Sequence, residues 1–133
     1  MEQKNVIDLE TAKLVAAAAQ QEADANGWEV VIAIVDDGGY LMYLQRSRAQ
    51  LGSIDVAIKK ARATVLFRRP TSVFADRVNN GQTGYLEMPG IMPLEGGEPL
   101  EYDGEIVGAI GISGAKANED GIVARAGCAA MPR

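Results

Sequence analysis

One short apolar segment most constrains the fold: EIVGAIGISGA, residues 105–115, in which glycine recurs at every third position. Alternate side chains of a strand point to opposite faces, so one face carries the isoleucines and the other carries mostly small residues. The first face is Ile106, Gly108, Ile110 and Ile112, and the second is Val107, Ala109, Gly111 and Ser113. Glycine inside a strand marks close approach by a backbone or a ligand. The segment therefore predicts a strand against which an alanine-rich helix, residues 9–26 or 118–130, packs closely, with a shelf for a ligand as the alternative.

The same glycines do not fit a nucleotide-binding loop. The dinucleotide fingerprint G-x-G-x-x-G has one residue between its first two glycines, whereas two residues separate Gly108 from Gly111. The Gly-Lys-Ser/Thr ending of a P-loop is also missing. The pattern therefore indicates a strand rather than a phosphate cradle.

The first half of the chain predicts a helix, a hairpin and two further helices. Asp8 as N-cap and Gly27 at the C′ position bound a helix over residues 9–26. The apolar runs 28–35 and 40–46 flank an Asp-Asp-Gly-Gly turn. Ser53 is expected to cap a second helix, which Arg-Arg-Pro at 68–70 ends, and a short third helix follows from Thr71 or Ser72.

The second half predicts a long loop over residues 79–93, three strands within residues 94–114, and a final helix from about Asn118. The order is α-β-β-α-α-β-β-β-α, and the hairpins imply antiparallel pairing. We therefore expect one α+β domain over residues 1–133, with a single antiparallel sheet of about five strands and helices on both faces.

Composition excludes several classes of function. The chain has no histidine and one cysteine, which removes Ser-His-Asp and Cys-His catalysis, and no metal site is predicted. Acid–base chemistry is left to Asp, Glu, Lys, Tyr or Cys128. The net charge of −5 argues against a nucleic-acid partner. The apolar runs are too short for a membrane span and the N-terminus lacks a secretory signal, so the expected location is cytoplasmic.

The charges are unevenly distributed along the chain. Residues 59–77 hold six basic residues and one acid, whereas residues 87–105 hold six acids and no base. Two solvated faces of opposite sign explain this pattern. Alternatively, the basic segment attracts an anionic ligand or the acidic segment of a neighbouring subunit.

Several segments together resemble the GlcG/HbpS-like family. They are GGEPLEYDGEIVGAIGISGA with the following Asp120 and ARAGCAAM, the hairpin VVIAIVDDGGYLMYLQR, and the helix segment AIKKARAT. The resemblance implies an α/β domain with an antiparallel sheet that forms symmetric homo-oligomers, often octamers. It also implies haem as a candidate cofactor, since some members bind haem or a related tetrapyrrole and others are described as haem-degrading. The chain departs from the family pattern after the hairpin, where Arg48 replaces an acid, which favours an anionic ligand.

Two sets of residues are candidates for a site, and each member also has an ordinary structural interpretation. Lys60, Glu95 and Asp120 are the candidate catalytic groups, because a desolvated lysine beside a carboxylate can transfer protons. Arg46 and Lys60 match family positions and are expected to converge on a carboxylate. The candidate ligand-binding residues are Asp36, Arg46, Lys60, Tyr85, Met88, Met92, Gly96 and Gly97.

These residues support two functional hypotheses. The first is an oligomeric binding protein that holds haem or another planar anion between the second helix and the long loop. The second is a small catabolic enzyme, of lyase, isomerase or hydrolase type, that acts on an anionic organic substrate through Lys60, Arg46 and a carboxylate. A purely structural assembly is a third interpretation.

Overall fold

The computed structural model describes all residues from 1 to 133. It contains α1 (Leu9–Asn26), β1 (Val31–Asp36), β2 (Leu41–Arg46), α2 (Ser53–Phe67), α3 (Thr71–Asn79), β3 (Gly97–Tyr102), β4 (Glu105–Ser113) and α4 (Ala117–Cys128). A 3-10 turn at Thr83–Glu87 lies in the long loop. The four strands form one antiparallel sheet in the order β2-β1-β4-β3.

The α+β class and the single antiparallel sheet are confirmed, with four strands where the sequence indicates about five. The strand expected just before the Gly-Gly pair does not form. Gly96 has a φ of 129°, a conformation outside the strand region, and β3 begins only at Gly97. The residues before it remain irregular because this bend turns the chain away from the ladder.

The first helix has the ends that its sequence predicts. The Asp8 carboxylate accepts a hydrogen bond of 2.8 Å from the backbone N–H of Thr11. Hydrogen bonding from the side chain of Thr11, and then from its backbone, lowers the pKa of Asp8. Gly27 closes the helix with a φ of 72°. The cap expected for α2 was wrong: Ser53 is already inside the helix, and its hydroxyl accepts a hydrogen bond from Gln50.

Helices cover both faces of the sheet. The helices α1 and α4 pack on one face, and α2 with α3 lies over the other. The α1 face holds the larger core, which is made of the helix alanines and of Ile32, Ile34, Leu100, Ile110 and Ile112. None of the helices has both the length and the apolar composition needed to cross a membrane.

The helix α2 packs on the face of β4 that carries the small residues around Gly111. The sequence predicts that α1 or α4 lies there. A Cβ atom added to Gly111 would meet the carbonyl oxygen of Ala57 and lie 2.7 Å from the backbone nitrogen of Ala61. The backbone of α2 therefore fills the space that a ligand shelf would need. Because α1 buries its alanines against the opposite face, it is not available for this position.

A β-bulge in β4 reverses the faces expected for its first residues. Leu100 pairs with Gly108, but the next residue, Glu101, pairs with Ile106, so Val107 is the extra residue. As a result Val107 belongs to the α1 face and Ile106 packs on the α2 face, opposite to a strict alternation.

Candidate functional site

A buried ion pair joins the two helical layers at one end of the sheet. Lys60 extends from α2 and Asp120 from α4, and each is only 2% exposed. The Lys60 Nζ lies 3.1 Å from Asp120 Oδ2 and donates a 2.8 Å hydrogen bond to the carbonyl of Ile112 in β4. The other carboxylate oxygen of Asp120 accepts the N–H of Ala115 at 3.0 Å. Both charged groups are therefore hydrogen-bonded as well as paired.

Gly96 and Gly97 provide the space that this lysine occupies. A Cβ atom on Gly96 would lie 2.9 Å from the Lys60 Nζ and 3.0 Å from the Cβ of Asp120. A Cβ atom on Gly97 would lie 2.5 Å from the Lys60 carbonyl oxygen and from the Thr64 hydroxyl. The two glycines, which the sequence proposed as ligand-binding residues, thus accommodate protein atoms.

Burial shifts the pKa of each partner in the direction that favours its neutral form. Desolvation lowers the pKa of Lys60, and the negative charge of Asp120 opposes that change. Desolvation likewise raises the pKa of Asp120, against the attraction of Lys60. A lysine of this kind suits proton transfer, but its ammonium is enclosed. Lys60 does not share the exposed face of α2 with Lys59 and Arg62, because its own side of the helix faces the sheet.

Glu95 lies beside the buried pair and belongs to a second group of charges. Its carboxylate contacts Arg125 at 3.2 Å, and Arg125 also contacts Glu98 at 3.4 Å. The charge of Glu95 also opposes the lowering of the Lys60 pKa. The structure therefore brings Lys60, Asp120 and Glu95 together, as the sequence proposed, with Glu95 as the partly exposed member.

The exposed side of α2 forms a basic cleft with the long loop. We use this name for the cavity of about 260 Å³ that is lined by Lys59, Arg62, Leu66, Gly90 and Ile91. The two cations take part in no ion pair or side-chain hydrogen bond of the structure, so both are free for a ligand. Gly90 has a φ of 85°, and a Cβ atom there would lie 3.0 Å from Leu66, so glycine allows the loop to approach the helix.

The sequence did not select Lys59 or Arg62 as site residues, although it drew attention to their charge. The signal was their spacing, since residues 59, 62 and 66 lie on one face of a helix. What the sequence could not indicate is that residues 90 and 91 of the loop fold over that face.

Two other candidates lie in turns. The Arg46 guanidinium donates hydrogen bonds to the carbonyls of Ser47 and Ala49, at 3.5 and 3.3 Å, so it stabilises the loop before α2. It makes no contact with Lys60, and the expected convergence does not occur. Asp36 accepts the N–H groups of Gly38 and Tyr40 within the β1–β2 turn.

The loop residues Tyr85, Met88 and Met92 do not line the basic cleft. Tyr85 packs against Phe74 with its ring tilted by 55° and 5.6 Å between ring centroids, and its hydroxyl accepts a hydrogen bond from Arg77. With Met88 it borders a separate shallow hollow of about 300 Å³. No group of three or more Cys, Asp or Glu side chains is arranged to hold a metal ion.

Comparison with known proteins supplies the family. GlcG of Escherichia coli K12 is 40% identical over 115 residues, which cover 85% of each chain. The crystal structure of HbpS covers 100% of this chain and 95% of its own, with 33% identity and a TM-score of 0.90. A second structure, described as a PduOC:haem complex, covers 96% of both chains with 28% identity and a TM-score of 0.85. Residues 7–129 match the family model described as "Haem degrading protein HbpS-like", and the chain therefore belongs to the HbpS-like family.

Proposed function

We propose that this protein binds a planar anionic ligand in the basic cleft, with haem as the leading case. The observation that carries the proposal is the pair of unpaired cations, Lys59 and Arg62, beside the apolar Leu66 and Ile91. A flat aromatic molecule with carboxylates at one edge needs this combination, because arginine and lysine bind carboxylates and aliphatic side chains cover the ring. The description of the family and the haem-bound PduOC relative agree with it.

The residues of the cleft suit the propionate groups and the ring of haem better than they suit its iron, for which they offer no ordinary ligand. Lys59 and Arg62 would hold the propionate groups, and Leu66 with Ile91 would contact the ring. The chain offers no imidazole. Cys128 is an unsuitable thiolate ligand because burial raises its pKa to about 12. A bound haem would supply redox-active iron, whereas this chain would supply the carboxylate contacts and the apolar cover.

We also propose that the protein forms a homo-oligomer, with an octamer as the form expected from its family. At about 260 Å³ the basic cleft is smaller than an ordinary pocket for an organic ligand, so a neighbouring subunit would help to cover a porphyrin. Large apolar side chains such as Leu14, Tyr40 and Leu41 are available for contacts between subunits. Native mass spectrometry measures the subunit number directly. The cytoplasmic location remains part of the proposal, and cell fractionation tests it.

The test of the binding proposal is a titration with hemin, followed by the Soret band. We expect saturable binding by the wild type and at least ~10-fold weaker binding by Lys59→Ala/Arg62→Ala, since charged hydrogen bonds are lost. Iron-free protoporphyrin IX should still bind, and its dimethyl ester should not.

The matched control is Lys13→Ala/Arg133→Ala, which removes the same charge from exposed positions elsewhere. Equal binding by the two double variants, or equal binding of the ester and the free acid, would show that the cleft does not recognise carboxylates. No saturable shift with the wild type would remove the haem case.

A second candidate function, an enzyme for an anionic organic substrate, is favoured by one observation. Lys60, Asp120 and Glu95 meet at one end of the sheet, and Glu95 is exposed enough to reach a solute. Pyruvate and 2-oxoglutarate in D₂O are suitable probes, because proton abstraction beside the carbonyl is read as deuterium uptake by NMR. Uptake that Glu95→Gln abolishes, with the fold intact by circular dichroism, would support this function. Uptake equal to the buffer rate would exclude it for these substrates.

A further inference from the structure

A second polar cavity lies along the outer edge of β3, beside the C-terminal end of α2. We call it the edge groove, and its volume is about 480 Å³. The turn between α2 and α3 contributes Arg68 and Arg69 to one wall, and α4 contributes Arg125 and Cys128 to the other. β3 itself forms the floor with Glu98, Pro99 and Glu101.

The edge groove is closed to an added peptide strand, although β3 is an edge strand. The N–H of Gly97 already donates to the hydroxyl of Thr71 at 2.9 Å. Pro99 has no N–H, and its carbonyl accepts a hydrogen bond from the Cys128 thiol at 3.4 Å. Pairing with another chain needs free backbone groups, so recognition in this groove is left to side chains.

The charges in the edge groove are only partly paired. Arg125 is held by Glu95 and Glu98. Arg68 and Glu101 take part in no ion pair of the structure. The guanidinium of Arg69 donates a hydrogen bond of 2.9 Å to the carbonyl of Phe67 and lies 5.7 Å from the ring centroid of Phe74. These contacts hold the guanidinium in place, but no carboxylate neutralises its charge. The groove therefore presents free cations on one wall and carboxylates on its floor.

Arg68 closes α2 in an unusual backbone conformation and points no polar group of its side chain at the protein. It ends α2 with a φ of 56°, in the left-handed conformation that glycine adopts most easily. A residue with a Cβ atom is disfavoured there. The Arg68 side chain is exposed and makes no hydrogen bond within the protein, so its guanidinium is free to bind a ligand.

We propose that the edge groove is a binding site for a small zwitterion, a molecule that carries both a carboxylate and an ammonium group, as amino acids do. Arg68 and Arg69 bind the carboxylate, and Glu101 with Glu98 binds the ammonium. The apolar part of the ligand lies on Pro99 and beside Cys128. This site is separate from the basic cleft and does not depend on the proposed haem binding.

Calorimetric titration with a length series tests the proposal: glycine, β-alanine, 4-aminobutyrate and 6-aminohexanoate, against propionate and propylamine. We expect one member of the series to bind at least ~10-fold more tightly than either singly charged compound, because both charged contacts form together. The best length reports the separation between the arginines of the wall and the carboxylates of the floor. Arg68→Gly and Glu101→Gln should each weaken that binding by ~10-fold or more.

Arg68→Gly also separates binding from folding, because glycine suits this backbone and the thermal midpoint should rise. Arg48→Ala, at an exposed position outside the groove, should change neither property. Hemin titration of Arg68→Gly should match the wild type, which distinguishes this site from the basic cleft. A lack of preference for zwitterions over the singly charged compounds would overturn the proposal, and so would unchanged binding by Arg68→Gly. An Arg68→Gly protein that changes its oligomeric mass but not its ligand binding would also overturn it, because the groove would then be a contact between subunits.

Discussion

Replacing Gly111 by alanine tests the packing of α2 on the sheet. The added Cβ atom would meet the carbonyl of Ala57, and it would lie 2.7 Å from the nitrogen of Ala61 and 3.0 Å from the carbonyl carbon of Ala57. All of these are backbone atoms, so no side-chain rotation relieves the overlap. Ordinary contacts between such atoms begin near ~3.5 Å, and α2 must therefore move away from β4 by about 1 Å.

The cost follows from what this movement disrupts. α2 packs Ala57, Ala61 and Val65 against the sheet, and a gap of ~1 Å forfeits up to about half of each dispersion contact across that surface. Overpacking of a core costs about 1–3 kcal/mol, and more where backbone must move. Alanine recovers about 0.4–1 kcal/mol by restricting the unfolded chain. We expect a net loss of about 2 kcal/mol in the free energy of unfolding, or roughly 7 °C in Tm.

Thermal and urea unfolding of Gly111→Ala measures this loss. The matched control is Gly52→Ala, because Gly52 has a φ of −60° and no atom lies within 4 Å of its added Cβ. The control should be unchanged or slightly more stable. A Gly111→Ala protein within about 0.5 kcal/mol of the wild type would mean that α2 does not pack on this strand.

Three further outcomes are expected. Lys60→Met should lose about 3–5 kcal/mol of stability in urea unfolding, because it leaves Asp120 buried and unpaired, and Lys60→Met/Asp120→Leu should recover part of that loss. Burial raises the pKa of Glu98 above 4.5, so just above pH 4.5 the folded state keeps a proton that the unfolded state has released. The free energy of unfolding should therefore fall as the pH rises from 4.5 through the pKa of the folded state, and Glu98→Gln should reduce this dependence on pH. Burial raises the Cys128 pKa from 9.0 to about 12, so alkylation by iodoacetamide at pH 8 should be on the order of 10³-fold slower in the folded protein than in urea.

Each of these outcomes has a result that contradicts it. A Lys60→Met/Asp120→Leu protein less stable than Lys60→Met would mean that the two side chains are not coupled. Stability that rises with pH above 4.5 and is unaffected by Glu98→Gln would contradict the burial of that carboxylate. Equal alkylation of folded and unfolded protein would mean that burial does not raise the pKa of the Cys128 thiol.

Local sequence signals correctly predicted the helix ends and turns that depend only on residues adjacent in the sequence. The cap at Asp8, the left-handed closure at Gly27 and the turn at 36–39 are properties of a few consecutive residues, and they appear where the sequence predicts them. The apolar strands β1 and β4 were recognised because burial on both faces leaves a continuous aliphatic run. Local signals failed at the bulge, because an extra residue in β4 is defined only by its pairing with β3.

The candidate site depended much more on contacts between distant residues. The sequence selected Lys60, Asp120 and Glu95, and the structure brings them together, but it did not indicate that Lys60 is enclosed. That enclosure requires two glycines at the start of β3 and a carboxylate about 60 residues along the chain. Arg46 matched a family position, yet it hydrogen-bonds to its own loop.

The sequence by itself determined that residues 105–113 form a strand with one face of mostly small residues, and that cations gather on the second helix. Only the tertiary structure decided which helix lies on that strand, which lysine is buried and which two cations stay exposed over the loop. The physical reason is that side-chain periodicity fixes the faces of an element, whereas burial depends on what packs against each face. The single position Lys60, between the exposed Lys59 and Arg62, shows how one helical turn separates a core residue from a ligand-binding surface.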